Sequence, residues 1–261
     1  MGNRFYAAGE ERAARVNDLF AAIAPRYDLI NDLQSFGLHR WWKRRLLRLA
    51  AVKRGETALD LCCGTGDVAF ALAAAGARTI GMDFSAPMLA VAEQRRSKVH
   101  GPGTEPGSEP NPRFLQGDAL RMPFPDSHFD LVTISYGLRN LASVDDGLRE
   151  MWRVLKPGGR LLVLDFGKPD NAAWRGAYFG YLRFAVPVFG RLFCKNAEAY
   201  AYILESLQHY PAQRGVDDKL RAFGTADARI VNFLGGVMSI NVARKPTALA
   251  DHDGYKHGGV V

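Results

Sequence analysis

Short apolar runs alternate with helical patterns through the middle of the chain. The apolar runs are bounded by glycine, proline or charged residues and are rich in branched side chains, which is typical of buried strands. Strands that alternate with helices predict a parallel sheet of the α/β class, whose ligands bind at the carboxyl ends of the strands. The predicted strands are 57–63, 78–83, 113–116, 129–135 and 160–166, and the predicted helices are 67–75, one through Met88–Ala92, and 143–155. A turn is predicted at Lys156–Gly159.

A helical segment is predicted before the first strand, over residues 15–50, with a break at Pro25. Its second helix has a stripe of apolar residues and many cations. Such a helix can lie on an anionic membrane surface, or it can pack on the edge of the sheet with a solvated basic face. The stripe is Leu38, Trp42, Leu46 and Leu49, and the cations are Arg40, Lys43, Arg44, Arg45 and Arg48.

The first predicted strand runs directly into a loop with two glycines, LDLCCGTGD, and then into a helix. Gly64 and Gly66 allow the backbone to lie close to a ligand, and the helix N-terminus favours an anionic group. The loop also satisfies the dinucleotide fingerprint G-x-G-x-x-G/A. Asp60 and Asp67 favour a cationic cofactor such as S-adenosylmethionine over NAD, since Asp67 would repel a pyrophosphate. A plain strand-turn-helix, with Asp67 capping the helix, is the alternative without a ligand.

Two further carboxylates are predicted near this loop. Asp83 ends the second strand about twenty residues after the glycines, where an acid typically holds a ribose diol. Asp118 follows the third strand, where a carboxylate and a backbone N–H can bind the edge of an adenine. Both residues strengthen the prediction of a nucleotide-like cofactor.

Composition limits the protein class. The chain has 261 residues, 48% of them hydrophobic, and a net charge of +7. One core of α/β type is expected, and the charge predicts an anionic partner, either nucleic acid or lipid. The absence of a long apolar run predicts a cytoplasmic protein. The three cysteines and the scattered histidines have no metal-ligand spacing, so no metal site is predicted.

The order of the motifs LDLCCGTGD, GMDFS, QGDA and LKPGGRLLVLD resembles that of class I S-adenosylmethionine-dependent methyltransferases. More narrowly, YDLIND, MPFPDSHFDLVTISYGLRN and VLKPGGRLLVLDFGKP resemble the ubiquinone/menaquinone biosynthesis C-methyltransferases of UbiE/MenG type. The resemblance implies a Rossmann-like, seven-stranded, mostly parallel sheet with helices on both faces and a helical substrate cap. The family's contacts with S-adenosyl-L-methionine correspond by motif to Thr65, Asp83, Asp118, Ala119 and Ser135. The predicted cofactor site also includes Asp60, Gly64, Gly66, Phe84 and Met88.

The resemblance also implies the reaction, which is C-methylation of a polyprenylated hydroquinone: demethylmenaquinol, a 2-polyprenyl-6-methoxy-1,4-benzoquinol, or both. The reduced ring is required because a phenolate donates electron density to its ortho carbon. Ionising a phenol of pKa about 10 near pH 7 costs roughly 4 kcal/mol. We expect Arg139 to stabilise the phenolate electrostatically, and Asn140 and Tyr27 to orient the ring hydroxyls.

The expected organisation is one domain over 15–245, with a flexible N-terminus at 1–14 and a disordered tail at 246–261. The core spans 57–166 and contains a mobile insertion at 100–112, HGPGTEPGSEPNP. A helical cap is expected over 170–210.

The expected partners are the quinol and an anionic membrane surface, which the segments 38–49 and 178–193 would contact. No nucleic acid is expected, because an Asn/Asp-Pro-Pro-aromatic turn is missing after the fourth strand, and a homodimer is left open. The alternatives are another small aromatic or lipid substrate, a cofactor-binding regulatory protein without turnover, and an NAD-dependent oxidoreductase.

Overall fold

The computed structural model describes residues 32, 35–100, 111–189, 198–225 and 227–247. Several predictions fall outside these residues: the flexible N-terminus, the helix predicted near residue 15, Tyr27, residues 101–110 of the insertion, part of the cap with Cys194, and most of the tail.

The described strands form one seven-stranded sheet of order β3-β2-β1-β4-β5-β7-β6. Strands β1 to β5 are parallel to one another, while β7 is antiparallel to both β5 and β6. This confirms the prediction of a seven-stranded, mostly parallel sheet. The strands are β1 (Thr57–Leu61), β2 (Arg78–Asp83), β3 (Arg113–Gln116), β4 (Phe129–Ser135), β5 (Leu155–Phe166), β6 (Asp227–Phe233) and β7 (Met238–Arg244).

Helices connect β1 to β2, β2 to β3 and β4 to β5, a loop connects β3 to β4, and further helices follow β5. Short 3₁₀ turns at Leu138–Asn140 and Leu234–Gly236 follow β4 and β6. In the described part of the chain no helix is both long and apolar enough to cross a bilayer. The helices are α1 (Leu38–Ala50), α2 (Asp67–Ala74), α3 (Ala86–His100), α4 (Val144–Val154), α5 (Ala172–Phe189), α6 (Glu198–His209) and α7 (Ala212–Ala222).

Side chains alternate between the two faces of the sheet. Leu161 and Val163 of β5 contribute to one apolar cluster, and Leu162 and Leu164 contribute to another on the opposite face. Successive residues of a strand point to opposite faces, and both faces here are covered. The near-continuous apolar runs of the sequence follow from this double burial.

The basic helix α1 packs against the second cluster. Trp42, Leu46 and Ala50 are buried, while Trp41 and Arg44 are exposed. The predicted apolar stripe is therefore only partly buried, since Leu38 is exposed and Leu49 is half-buried. The side of α1 that carries Trp41 and Arg44 does not pack on the sheet.

Two boundaries differ from the sequence prediction. β1 ends at Leu61, and the chain turns at Cys62, which has a left-handed φ of 51°. β5 begins at Leu155, so the predicted turn at Lys156–Gly159 lies within the strand. The left-handed Gly158 (φ 77°) and a shift of the β4–β5 register absorb the bend without ending the strand.

Candidate functional site

The two loop glycines have different roles. Both have positive φ, 54° at Gly64 and 88° at Gly66. A Cβ on Gly66 would lie 2.8 Å from the Phe114 ring and 2.9 Å from the Phe70 ring, so this position needs glycine for packing as well as for its backbone. A Cβ on Gly64 would meet only Met88 Cε, at 3.8 Å. The backbone at Gly64 is therefore the part of the loop with room for a ligand.

Asp83 binds this loop directly. Its two carboxylate oxygens accept hydrogen bonds from the backbone N–H groups of Gly64 and Ser85, each at 2.8 Å. Burial raises the pKa of Asp83, although these backbone donors oppose the change. A carboxylate oxygen has two lone pairs, so each can accept one further hydrogen bond. The predicted ribose acid thus lies beside the glycine loop.

Asp60 is buried in the sheet behind the loop. Its side chain is 2% exposed and accepts a hydrogen bond of 2.7 Å from Thr133 Oγ1 on β4. Burial raises the pKa of Asp60 to about 7, and the bond from Thr133 opposes this only in part. The group therefore titrates near neutral pH. A cation at the loop would favour its ionised form.

Asp67 does not cap the helix, because the N-cap of α2 is Gly66 and no side chain caps it. The Asp67 carboxylate instead pairs with Lys43 Nζ at 2.8 Å and Arg95 Nη2 at 2.7 Å. Burial raises the pKa of Asp67, but these two cations outweigh burial and bring it to about 2. Its charge is neutralised by protein side chains, so the argument from its repulsion of a pyrophosphate was wrong. Arg95 also donates to the carbonyl of Thr65 at 2.9 Å.

The ends of β2 and β3 form the other side of the site. The N–H of Gly117 donates to the carbonyl of Asp83 at 3.0 Å, and the Asp118 carboxylate accepts from the N–H of Leu120 at 2.9 Å. Ala119 is buried, whereas the Phe84 ring is 50% exposed. The exposed Phe84 ring offers a flat apolar surface at this end of the sheet.

At the end of β4 the backbone is strained. Tyr136 has a φ of 60°, and a Cβ on Gly137 would overlap Cys62. The Ser135 hydroxyl is buried and has no hydrogen-bond partner among the described residues. A buried polar atom without a partner is costly in the folded state and marks a position where a ligand can bond. Burial raises the pKa of the Cys62 and Cys63 thiols, in keeping with their predicted apolar role.

Arg139, in the turn after β4, is buried and ion-paired. Its Nη1 donates to Asp165 Oδ1 at 2.6 Å and to the carbonyl of Tyr136 at 2.7 Å. Its guanidinium lies 4.8 Å from the centroid of the Phe166 ring. Asn140 Nδ2 donates to the same Tyr136 carbonyl at 3.1 Å. The turn is thereby bound to the end of β5.

Sequence analysis missed Asp165 and the tyrosines around it. Tyr178 of α5 is 6% exposed, and its hydroxyl has no hydrogen-bond partner among the described residues. Burial raises the pKa of both Tyr178 and Tyr210, and the charges of Arg139 and Asp165 act on each. Asp165 was recognisable as an acid at the carboxyl end of a buried strand. Tyr178 and Tyr210 could not be recognised, because nothing in the sequence around them indicates that they lie near Asp165.

The structure therefore places most of the predicted cofactor residues at the carboxyl ends of β1 to β4. Asp60 lies within β1, one residue before its end, and Met88 lies on α3. Arg139 and Asn140 lie next to these strand ends, between β4 and β5. Tyr27 is outside the described residues.

The chain matches the model of the ubiE/COQ5 methyltransferase family over residues 7–245. Curated proteins similar to it are the ubiquinone/menaquinone biosynthesis C-methyltransferase UbiE of Azotobacter vinelandii (38% identical, 90% of this chain and 92% of that protein) and that of Cellvibrio japonicus (39% identical, 91% of this chain and 94% of that protein).

Two solved structures with the same fold are methyltransferases. An S-adenosylmethionine-dependent methyltransferase of Thermotoga maritima superposes with a TM-score of 0.59, at 16% identity, over 87% of this chain and 99% of its own. A phosphoethanolamine N-methyltransferase of Haemonchus contortus, solved with S-adenosylhomocysteine, gives 0.58 at 18% identity over 78% of this chain and 52% of its own.

Proposed function

Because the chain belongs to the ubiE/COQ5 methyltransferase family, we propose that it methylates a ring carbon of a polyprenylated hydroquinone, with S-adenosyl-L-methionine as the methyl donor. The substrate is demethylmenaquinol, the methoxy-benzoquinol of ubiquinone synthesis, or both. The observation that carries the proposal is the position of the buried Arg139–Asp165 pair beside the acid-lined loop, at neighbouring strand ends.

The residues present fit this cofactor. S-adenosylmethionine supplies an electrophilic methyl group next to a positive charge. Asp83 would hold the ribose hydroxyls, Phe84 and Asp118 the adenine, and the Gly64 backbone with Ser135 the amino-acid end. The buried Asp60 supplies negative potential behind the loop, which suits a cationic cofactor. The Ser135 hydroxyl would gain its missing hydrogen bond.

On the substrate side, Arg139 remains protonated and donates hydrogen bonds from a fixed position. Its pairing with Asp165 reduces its net charge, so an oriented N–H donor is the better description than an isolated cation. Such a donor favours the phenolate over the phenol if a ring oxygen lies within its reach. Asn140, bound to the same carbonyl, would contact the other ring substituents, as would Tyr27.

The substrate class adds a second partner. A polyprenyl chain is insoluble in water, so the enzyme must meet its quinol at a membrane. An anionic membrane surface is therefore part of the proposal.

The test is methyl transfer from radiolabelled S-adenosylmethionine to pre-reduced demethylmenaquinol and to a methoxy-benzoquinol analogue. We expect label in the ring of at least one product and none with the oxidised quinones. Binding of S-adenosylhomocysteine without transfer to either quinol would favour a different small aromatic or lipid substrate or a regulatory protein. Binding of NADH instead would contradict the proposal altogether.

A further inference from the structure

The turn Leu234–Gly236, after the outermost strand β6, exposes its leucine side chain to solvent. Leu234, directly after β6, has a φ of 48° and is 54% exposed. The next two residues, Gly235 and Gly236, are also left-handed, with φ of 65° and 98°. A residue with a bulky side chain rarely adopts this conformation. Leu234 therefore keeps an unfavourable backbone conformation, although its apolar side chain is not buried within this chain.

Two exposed tryptophans flank this turn. Trp174 of α5 is 47% exposed, and its Nε1–H donates to the carbonyl of Leu234 at 2.9 Å. Trp41 of α1 is 45% exposed and packs edge-on against Phe233, the residue before Leu234, with ring centroids 5.0 Å apart. We call Trp41, Trp174 and Leu234 the Leu234 face. Its members come from three distant parts of the sequence.

Cations border the Leu234 face on the α1 side. Arg44 and Arg48 follow Trp41 at a spacing that puts all three on one side of α1, and both arginines are exposed. Neither forms an ion pair within the part of the chain that the structure describes. Arg40, in contrast, is paired with Asp32.

Two further cations come from the chain around Trp174. Lys168 and Arg175 line an open groove of about 410 Å³. Lys168 Nζ donates to the carbonyls of Gln208 and Tyr210, and Arg175 donates to the carbonyl of Pro169 at 3.0 Å. A carbonyl group has no net charge, so these contacts do not neutralise either side chain. No ion pair with a carboxylate is found for either among residues 35–100, 111–189, 198–225 and 227–247.

We propose that the Leu234 face is the surface by which this protein docks on an anionic lipid bilayer. Tryptophan and leucine enter the boundary between headgroups and acyl chains, and flanking cations attract anionic headgroups. The charge argues against a second copy of the chain as the occupant, because two such faces would bring like charges together.

The Leu234 face lies on the same side of the molecule as the site, and the role inferred from this position rests on the proposed function. β6 runs in the same direction as β1 to β5. Leu234, the glycine loop and Arg139 therefore all lie where the parallel strands reach their carboxyl ends. Docking would turn the mouth of the site toward the bilayer that contains the quinol. The face shares only Trp41 with the predicted membrane segment 38–49. It shares no residue with 178–193, in which Tyr178 and Leu182 are buried and Tyr181 and Phe184 are exposed.

The experiment is sedimentation of the full chain with phosphatidylcholine vesicles that contain or lack phosphatidylglycerol, at low and high salt. The test variant is Leu234→Asn, because asparagine tolerates a left-handed φ and removes only the apolar side chain. Its control is Val99→Asn on α3, which replaces a side chain that is 68% exposed near the opposite edge of the sheet. Arg44→Gln is matched with Arg78→Gln, an exposed arginine at the start of β2.

We expect binding that requires phosphatidylglycerol and weakens with salt. Leu234→Asn should weaken it about tenfold and Arg44→Gln about fivefold, while both control variants bind like the original protein. Equal binding by Leu234→Asn and Val99→Asn would overturn the proposal. So would a concentration-dependent dimer that Leu234→Asn dissociates.

A second readout separates this proposal from the proposed function. Methyl transfer to a short-chain, water-soluble quinol without vesicles should be unchanged in Leu234→Asn, and only transfer to a vesicle-embedded quinol should fall. If the original protein binds vesicles but methylates no quinol, the proposed reaction fails and the docking surface stands. If it methylates the soluble quinol and binds no anionic vesicle, the reaction stands and the docking surface fails.

Discussion

Arg139 Nη1 and Asp165 Oδ1 lie 2.6 Å apart in a part of the protein where both side chains are almost completely buried, at 6% and 2% exposure. The backbone N–H of Arg139 also points to Asp165, with 3.3 Å to Oδ2. The pair therefore fixes both the main chain and the side chain of the turn after β4. Since the turn belongs to one strand and Asp165 to the next, the alignment of β4 and β5 decides the position of the guanidinium.

Replacing Asp165 by Asn should be strongly destabilising. The change leaves the Arg139 guanidinium buried without its carboxylate, and removal of one partner of a buried pair typically costs about 3–5 kcal/mol. We expect the free energy of unfolding, measured by urea denaturation, to fall by about 3 kcal/mol. Methyl transfer should fall as well, because the donor loses its orientation.

The matched control is Asp170→Asn. Asp170 pairs with Arg214 at 2.6 Å, but both side chains are more than half exposed. Exposed pairs contribute less than about 1 kcal/mol. Similar losses in the two variants would show that burial does not set the strength of the Arg139–Asp165 pair.

Arg139→Lys and Asp83→Asn should separate catalysis from cofactor binding. Lysine keeps a charge beside Asp165 but has no planar guanidinium to hold both Asp165 and the Tyr136 carbonyl, so kcat should fall with S-adenosylhomocysteine affinity unchanged. In the Asp83→Asn variant, an amide N–H₂ donor replaces one acceptor oxygen and faces a backbone N–H. Affinity should then fall by about tenfold or more.

Titration calorimetry with S-adenosylhomocysteine and single-turnover methyl transfer provide the two measurements. Asp146→Asn on the surface of α4 serves as the control for loss of a carboxylate elsewhere. A similar loss of affinity in Arg139→Lys and Asp83→Asn would contradict the separate roles of the two residues.

The hydrophobic pattern was sufficient for the five parallel strands and for the turn at the glycine loop, because those features are local. The pattern did not predict β6 and β7; the count of seven strands came only from the family resemblance. A buried strand followed by two glycines specifies a turn, and an acid at the end of the next strand must lie beside it. The Gly64–Asp83 hydrogen bond of 2.8 Å follows from this parallel arrangement.

The remaining features depend on contacts between distant residues. The ion pairs that neutralise Asp67 come from α1 and α3, and Asp165 is 26 residues from Arg139. Leu234 could not be distinguished from a core residue by its type, because its exposure results from a backbone conformation that sequence patterns do not report. Charge balance and exposure in this site are properties of the assembled fold.

Gly66→Ala should destabilise the protein more than Gly55→Ala. The two glycines have nearly equal φ, 88° and 83°, so the backbone cost of alanine, about 1–2 kcal/mol, is the same. A Cβ at Gly55 has nothing within 4 Å, whereas one at Gly66 overlaps two aromatic rings. Overpacking adds about 1–3 kcal/mol. Urea denaturation measures the difference, and equal losses would mean that the Phe70 and Phe114 rings move aside freely.

Asp60→Asn should remove a pH dependence of stability. The pKa of Asp60 is raised by burial from 3.8 to about 7 in the folded protein. Between these values the folded state keeps a proton that the unfolded state has lost, so its contribution to stability decreases as pH rises from about 4 to about 7. The shift corresponds to at most about 4 kcal/mol. Asparagine can accept the Thr133 hydrogen bond and has no proton to lose.

The measurement is the free energy of unfolding of both proteins across this pH range. Relative to the original protein, Asp60→Asn should become progressively more stable up to pH 7 and then keep a constant advantage. Thr133→Val provides a matched comparison: it removes the hydrogen bond that favours the carboxylate, so it should extend the decline to higher pH. A difference between the original protein and Asp60→Asn that does not change with pH would show that this carboxyl ionises near its ordinary pKa, in spite of its burial.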